Sequence, residues 1–478
     1  MNVPSYEFLG FAALVALVIN ISPAPGWRRA VFLIANLAFV FLFTHDPVQL
    51  APFAAFLALG FASMKLMEVY RRKSAFIALV AALVLAFCWL KHYTFVPQAL
   101  FLPFVYFTVG MSYVFFRVMH LVVDAFQEAL PARVGPLSYL NYTLNFTSLV
   151  SGPIQLYRDY IRSESERLLP LDRPVVGEAL NRIITGLFKV SIVSPVLFYV
   201  HGRCVASLST EPSLEGRVLA AVLMVAVFPV YLYFNFSGYT DFVIGVGRFL
   251  RLQLPENFNK PFTSEGFIDF WGRWHITLAN WVKTYVYSPL LIGLMRRFPS
   301  RTIEPLLGVF AYFVAFFLVG VWHGQTTMFV FLGVLLGLGV SVNKLYQILM
   351  TRKLGRSAYR ALCAQPVYAA TSRGVTFAYF AFSSLWFWST WDQLGRFAAR
   401  LEPAGVTLTI LLVVAGATVL LSALKSVDEG LRSLRIAGVS LSASRYVRTA
   451  WYAALVVIVF SGTVVLNAPA PHVVYKAF

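Results

Sequence analysis

Residues 303–342 read IEPLLGVFAYFVAFFLVGVWHGQTTMFVFLGVLLGLGVSV, and this apolar stretch decides the fold class. As one helix it would be about 60 Å long, at about 1.5 Å per residue, which is twice the thickness of a bilayer core of about 30 Å. We therefore expect two membrane elements, or one strongly tilted, broken helix. The break is predicted at Gly320–Gln325, where glycines flank His323 and permit a bend. This interpretation places His323 at or near membrane depth.

The whole chain shares this apolar character. It has 478 residues, of which 59% are hydrophobic, 16% aromatic and only 13% charged, with a mean hydropathy of +0.72. A chain this apolar needs lipid as its solvent. The sequence predicts an all-α, polytopic membrane protein with about 11 to 13 membrane helices, counting re-entrant or tilted segments. Further apolar stretches lie at residues 5–22, 30–44, 47–64, 74–90, 98–119, 179–200, 218–249, 375–391, 405–424 and 449–467.

The formal charge of +18 comes from basic residues in short groups beside apolar segments, such as Arg28-Arg29 and Arg296-Arg297. Basic flanks of this kind are typical of cytoplasmic loops, so membrane lipid is the expected partner and nucleic acid is not. The first loops alternate between basic ones, such as Arg28-Arg29, and one without Lys or Arg at residues 45–47. This alternation predicts that the N-terminus lies outside the cytoplasm. Residues 5–22 are interpreted as a retained first helix, because no basic residue precedes them.

The three cysteines, Cys88, Cys204 and Cys363, lie far apart and form no CxxC or Cys-His pattern. Neither a disulfide framework nor a metal site is predicted. The polar segments 158–173 and 350–373 are expected to be cytoplasmic loops, the first of them alternatively a surface helix.

Residues 251–285 form the most unusual segment, since Pro, Asn, Lys, Asp, Arg and His alternate there with dense Phe and Trp. It is too polar to cross lipid as an isolated helix, and its aromatic rings demand burial against other protein. We expect it to line a cavity.

Two histidines could carry chemistry in these surroundings. His323 is either a proton acceptor or a residue that bonds two helices together, and His275 is either functional or an interfacial anchor. Together they suit acyl transfer, in which a neutral imidazole takes the proton of an attacking hydroxyl and a second polar group orients the substrate. Neither a metal nor a covalent nucleophile is needed. No GxSxG, HExxH, Walker or dinucleotide-binding motif accompanies them.

Several ordered motifs resemble those of the membrane-bound O-acyltransferase (MBOAT) family, in its bacterial branch for alginate acetylation and teichoic-acid D-alanylation. The resemblance covers about residues 105–390. The motifs are SGPI at 151–154, YFNFSGYTD at 233–241, IGVGR at 244–248, PENFNKPF at 255–262, FWGRWHITL at 270–278 and VWHG at 321–324, with weaker matches at 110–113, Asp124 and 186–189.

The resemblance implies a single domain over residues 1–478 with a funnel or tunnel through the membrane. His323 matches the family's catalytic histidine, and His275 matches its second functional histidine. Other polar or aromatic residues in or near the motifs are candidates for the substrate path, or else hold the polar segment together by hydrogen bonds. These residues are Asp241, Asn257, Asn259, Arg273, Trp274, Asn280 and Trp322.

The sequence is compatible with two acyl groups, acetyl and D-alanyl. After Tyr285 the alginate-acetylating subgroup has a PLGGNR run, whereas residues 288–297 here read SPLLIGLMRR, which looks more like the D-alanylating subgroup. The expected activity is transfer of an acyl group, acetyl in the first place and D-alanyl as the alternative. The donor would be acetyl-CoA or a carrier-protein thioester in the cytoplasm, with no bound cofactor.

The acceptor would be a hydroxyl of a cell-envelope polysaccharide or of a partner transferase on the other side of a bacterial inner membrane. Two other classes of protein fit the same residues. A transporter or flippase for a lipid-linked sugar would bind an anionic headgroup through the histidines and Arg273. A non-catalytic scaffold would dock an extracytoplasmic transferase and use the histidines for packing.

Overall fold

The computed structural model describes residues 3–166, 168–433, 435–436, 439–440 and 444–466, and most of them are helical. The first helices are α1 (Tyr6–Ile19), α2 (Pro25–Phe41), α3 (Pro47–Val69), α4 (Lys73–Leu90), α5 (Met111–Phe126), α6 (Pro136–Thr143), α7 (Tyr157–Ile161), α8 (Arg173–Phe188), α9 (Ser194–Thr210) and α10 (Leu214–Phe249). They are followed by α11 (Phe267–Trp271), α12 (Ile276–Val282), α13 (Ser288–Arg297), α14 (Glu304–Trp322), α15 (Thr327–Leu354), α16 (Arg356–Ala364), α17 (Pro366–Ser383), α18 (Leu385–Trp388), α19 (Trp391–Ser433) and α20 (Arg445–Leu466).

Shorter elements connect these helices. Two 3₁₀ turns, three π-helical turns and one pair of antiparallel strands occur in the described residues. The 3₁₀ turns are Gln98–Leu100 and Pro261–Thr263, the π turns are Arg162–Glu166, Lys189–Val193 and Lys283–Tyr287, and the strands are β1 (Arg435–Ile436) and β2 (Val439–Ser440).

The described residues fall into two compact units. The first holds residues 3–190 and 236–256, and the second holds residues 191–235 and 257–466. The aromatic core of the first unit includes Phe8, Phe39 and Phe146, whose rings lie within about 6 Å of one another. The second unit contains the polar segment after residue 256 and both candidate histidines.

Eight helices in the described residues are long and apolar enough to cross a membrane, and α1 is a shorter apolar helix. The predicted all-α, polytopic fold class is confirmed. The predicted spans 47–64 and 74–90 correspond to α3 and α4, while the run 218–249 lies within the single helix α10. The predicted span 449–467 falls within α20 except for residue 467, which lies outside the described residues.

Two parts of the sequence interpretation are wrong in detail. The predicted span 98–119 is not one helix, because α5 begins only at Met111, after Gly110 turns the chain with φ 74°. The predicted loop 350–373 is almost entirely helical in α15, α16 and α17. Its arginines, lysines and alanines are good helix formers, so a basic composition did not mean irregular backbone.

Buried arginine supports non-helical backbone in the first unit. Residues 144–156 are largely irregular, although they are mostly buried. Arg117 on α5 is 1% exposed and donates to the carbonyl oxygens of Thr143 and Ser148 at 2.8 and 2.7 Å. Irregular backbone away from water needs such partners, because each unpaired polar group there costs several kcal/mol.

Glycines let α14 and α15 pack closely in the second unit. A Cβ on Gly320 would lie 2.2 Å from the Cα atom of Gly333, and a Cβ on Gly333 would lie 2.5 Å from the carbonyl oxygen of Phe317. Small residues at such contacts allow two helix backbones to approach in a membrane. The predicted break between two helices is confirmed, since α14 ends at Trp322 and α15 begins at Thr327.

Gly320→Ala should lower the free energy of unfolding by about 1–3 kcal/mol, because the added methyl group must push two backbones apart. The matched control is Gly416→Ala in α19, where an added Cβ meets no atom within 4 Å. Thermal unfolding in detergent should show a lower midpoint for the first variant and an unchanged or higher midpoint for the second. Equal midpoints for the two variants would refute this account of the helix pair.

Candidate active site

His323 follows the last residue of α14, at the break between the two membrane helices. Its backbone N–H donates to the carbonyl of Gly320 at 3.1 Å, and the residue is only 4% exposed. Its ring centroid lies 4.7 Å from that of Trp322 and 5.2 Å from that of Phe387. The imidazole is therefore enclosed by aromatic side chains of the protein and does not face lipid.

The segment that follows residue 256 folds back on itself to place His275. The N–H of Asn259 donates to the carbonyl oxygen of Arg273 at 2.9 Å. The N–H of Ile276 donates to the carbonyl oxygen of Asn257 at 3.0 Å. His275 itself stands just before α12 with φ 46°, in the left-handed region that few residues other than glycine and asparagine adopt easily. This turn directs a buried histidine, 1% exposed, into the second unit.

The buried side chain of Asn257 joins the two ends of this fold. Its Oδ1 accepts hydrogen bonds from the backbone N–H and the hydroxyl of Thr277, at 3.1 and 2.7 Å, and lies 3.3 Å from Nδ1 of His275. A backbone N–H can only donate, so the side-chain oxygen must face Thr277. Because Oδ1 of Asn257 can only accept a hydrogen bond, Nδ1 of His275 must be the donor. Nε2 is then the proton-accepting nitrogen of the neutral ring.

Burial keeps His275 neutral. It lowers the pKa of His275 well below the usual value near 6.5, and a proton taken up by His323 would lower that pKa further. The helix that begins after His275, α12, packs against α14, the helix that ends just before His323. Because the pKa is lowered, His275 remains neutral and able to accept a proton as the pH falls through 6.5.

These groups can perform acid–base chemistry on a neutral substrate. Two buried imidazoles lie beside helices that pack together, and the tautomer of one of them is set by an amide oxygen. A neutral imidazole in such a site can take the proton of a hydroxyl as that oxygen attacks a carbonyl carbon. Exclusion of water would protect a thioester from hydrolysis.

Other predicted site residues of the second unit take different positions. Trp274 is 1% exposed and packs its ring on Phe258 and Phe270, at 5.2 and 5.5 Å. Arg273 forms an ion pair with Asp269 at 2.9 Å on the surface. Asn259 and Asn280 are both exposed.

Asp241 belongs to the first unit and has two cationic partners. Its carboxylate accepts hydrogen bonds from Arg182 at 3.0 Å and from Lys189 at 2.6 Å. Arg182 also pairs with Glu256. The network joins α8 to α10 across a helix contact where a Cβ on Gly186 would meet the carbonyl of Gly238 at 2.6 Å. Asp241 therefore has a structural role, because its ion pairs hold α8 against α10 within the first unit.

Sequence reasoning missed two residues of the site. Thr277 lies in the quoted motif, yet a threonine gives no sign that it will share the oxygen of an asparagine twenty positions away. Phe387, whose ring lies against His323, occurs in an aromatic run at residues 385–388 that resembles any interfacial segment. Neither contact has a local sequence signal.

Asn257→Leu should reduce acyl transfer about 10- to 100-fold. A positioned proton-transfer group contributes about 10²- to 10⁴-fold, and the loss of its orienting partner should remove only a part of that. Loss of Oδ1 removes the hydrogen bond that orients His275. The decrease should appear in kcat with little change in KM, as measured by thiol release from an acyl thioester.

Asn259→Leu is the matched control, because the same substitution two residues away removes an exposed side chain. Transfer by this variant should stay near that of the unmodified protein. Equal kcat values for the two variants would contradict the positioning role of Asn257.

The profile of the family described as "MBOAT, membrane-bound O-acyltransferase family" matches residues 74–371. The chain belongs to the MBOAT family. The matched range contains the fold-back segment around His275 and the helix break at His323. As a member of this family with eight helices of membrane-spanning length and composition in its described residues, the chain is a multi-pass membrane protein.

Curated relatives of this MBOAT chain carry three different names. It is 29% identical over 230 residues to a "Teichoic acid D-alanyltransferase" of Bacillus subtilis, covering 47% of this chain and 56% of the relative. It is 28% identical over 240 residues to a "Probable alginate O-acetylase AlgI" of Azotobacter vinelandii, covering 50% and 45%. It is 29% identical over 214 residues to a "Peptidoglycan O-acetyltransferase" of Helicobacter pylori, covering 44% and 38%.

The matched part of the chain spans about half the length of these relatives. Their names agree on transfer of a small acyl group to a cell-envelope polymer and differ on the acyl group and the polymer. The predicted resemblance to the bacterial branch of the family is confirmed.

Proposed function

We propose that this protein transfers an acyl group, acetyl in the first place, from a cytoplasmic thioester to a hydroxyl group on the other side of a bacterial inner membrane. The donor is acetyl-CoA or an acyl carrier protein, and no bound cofactor takes part. The acceptor is a cell-envelope polysaccharide or a partner transferase that passes the group on. D-alanyl transfer from a carrier protein is the alternative, supported by the names of two relatives.

The single observation that carries this proposal is a buried histidine, His323, enclosed by aromatic rings at a break between membrane helices. Family membership alone would suit any acyl acceptor. The position of His323, enclosed by aromatic rings, supplies a proton acceptor inside the protein. A group of this kind is needed where an alcohol must attack a thioester without a metal or a covalent intermediate.

The proposed reaction is a single displacement at the thioester carbonyl carbon. The acceptor oxygen attacks the thioester carbonyl carbon and loses its proton to His323. The carbon–sulfur bond then breaks, and the departing thiolate takes up a proton. The products are an ester and a free thiol. His275 orients a substrate group or stabilises the charge that develops on the carbonyl oxygen.

The test uses the purified protein in proteoliposomes, with radiolabelled acetyl-CoA and D-alanyl carrier protein as donors. Alginate oligosaccharide and teichoic acid are the trial acceptors. Free thiol and hydroxylamine-labile label on an acceptor should appear together with one donor, and that donor identifies the acyl group. Movement of an intact lipid-linked sugar across the bilayer, with no thiol released from either donor, would instead indicate a transporter and overturn the proposal.

A further inference from the structure

A groove of about 600 Å³ lies in the first unit between α1, α8 and α10. Its lining includes Ala12 and Ala16 of α1, Leu180 and Ile183 of α8, and Phe249, the last residue of α10. Among the lining residues that the structure describes, Asn20 alone is polar. The groove is therefore apolar along its length and polar at one end.

The polar end carries more positive than negative charge. The amide nitrogen of Asn20 donates to the carbonyls of Ala16 and Phe249 at 2.7 and 2.9 Å, while its oxygen accepts from Nε of Arg251 at 2.7 Å. This bond holds the Arg251 guanidinium beside the groove. Within the described part of the chain, the terminal nitrogens of Arg251 have no protein acceptor.

A second arginine lies next to the first. Arg28 is 1% exposed and donates from Nη2 to the carbonyl of Leu250 at 3.0 Å. Burial lowers the pKa of Arg28, and the charge of Arg251 lowers it further. The nearby carboxylate of Glu164 already pairs with Arg29 at 3.4 Å. Arg28 thus contacts the residue before Arg251, and an anion beside the two arginines would relieve their repulsion.

The backbone at Arg251 gives independent support. The residue follows α10 with φ 59°, a left-handed conformation that is unfavourable for a residue with a Cβ. Conformations of this kind mark sites where the surrounding structure fixes a side chain in place. Here the result is an arginine held at the end of an apolar groove.

An exposed tryptophan of the kind found at membrane interfaces lies at the same end of the groove. The Trp27 ring is 40% exposed, and its Nε1 donates to the carbonyl of Val18 near the end of α1. Exposed tryptophans with one hydrogen bond are typical of the headgroup level. The predicted outside N-terminus puts the end of α1 at the cytoplasmic face, where anionic lipids are abundant.

We propose that this groove binds one phospholipid with an anionic headgroup. One acyl chain lies along Ala12, Ala16 and Ile183, and the phosphate is bound by Arg251 with Arg28 beside it. Any membrane protein touches lipid at apolar surfaces, so the specific content of the proposal is the preference for a negative headgroup at this place. The site is separate from the two histidines and does not depend on the proposed reaction.

The experiment is native mass spectrometry of the purified protein after incubation with equal amounts of dioleoyl phosphatidylglycerol and dioleoyl phosphatidylcholine. Phosphatidylglycerol should be retained about fivefold better, the ratio that about 1 kcal/mol from the one accessible arginine, Arg251, gives. Arg251→Asn should abolish the preference, because asparagine tolerates the left-handed backbone but carries no charge. Arg251→Lys should keep most of it, and Ala16→Trp should reduce retention of both lipids by filling the groove.

Arg296→Asn in α13 is the matched control, since it removes an equally cationic but exposed side chain, and it should leave the preference unchanged. Equal retention of the two lipids by the unmodified protein would overturn the proposal. So would a full preference in Arg251→Asn, or displacement of phosphatidylglycerol by inorganic phosphate, which would indicate a site for a small free anion.

Discussion

His323→Ala is expected to reduce acyl transfer by about 10³-fold, within the about 10²- to 10⁴-fold that a positioned general base contributes. The imidazole is the proton acceptor for the attacking hydroxyl, and alanine offers none. The rate to measure is release of free thiol from the thioester donor by the purified variant in proteoliposomes. The variant should still insert and fold, because His323 stands at the break after α14, where alanine can keep the backbone N–H bond to Gly320.

His201→Phe is the matched control for this prediction. His201 is also a buried histidine of the second unit, 5% exposed, with its ring 4.5 Å from that of Trp388. Phenylalanine preserves an aromatic ring there, so transfer should remain near normal. If an inserted, folded His323→Ala protein transferred acyl groups at the normal rate, His323 would have no role in proton transfer.

His275→Asn is expected to reduce transfer about 10²-fold while leaving the thermal unfolding midpoint unchanged. Asparagine is preferable to alanine here, because it tolerates the φ of 46° at this position. It keeps a polar side chain but cannot take up a proton near neutral pH. Thiol release measures the loss, and thermal unfolding in detergent separates a loss of chemistry from a loss of folding.

The matched control for His275→Asn is Lys260→Asn. Lys260 also has a φ of 46°, lies in the same segment and pairs on the surface with Asp428 at 2.7 Å. The same change of residue on the same backbone conformation should leave transfer intact. Comparable losses in the two variants would mean that the turn, and not the imidazole, is what the reaction requires.

The sequence predicts the helical fold well because length and hydropathy act locally. The break between α14 and α15 follows from a stretch twice as long as a bilayer core, and the glycines at the break permit the close packing that the structure has. The predicted start of the span 98–119 is wrong, because apolar composition continues through residues 101–110, whereas α5 begins only after Gly110, which has a φ of 74°. Composition alone does not register such a turn.

The site is less predictable, because its contacts join residues far apart in the chain. His323 and His275 could be singled out from their surroundings and motifs. The oxygen of Asn257 that orients His275 lies eighteen positions earlier, and the partners of Asp241 lie 59 and 52 positions away. Only the fold shows that Asp241 joins two helices of the first unit, whereas Asn257 contacts a candidate catalytic residue.

The central claim is that a hydroxyl attacks a thioester at His323. The most direct measurement uses a donor whose acyl group and thiol carry different labels, supplied to purified protein in proteoliposomes with an acceptor present. The account predicts that the acyl label appears as an ester on the acceptor while the thiol label stays with the free thiol, and that His323→Ala abolishes this separation. Labels that never separate with the unmodified protein, or that separate equally well in His323→Ala, would contradict it.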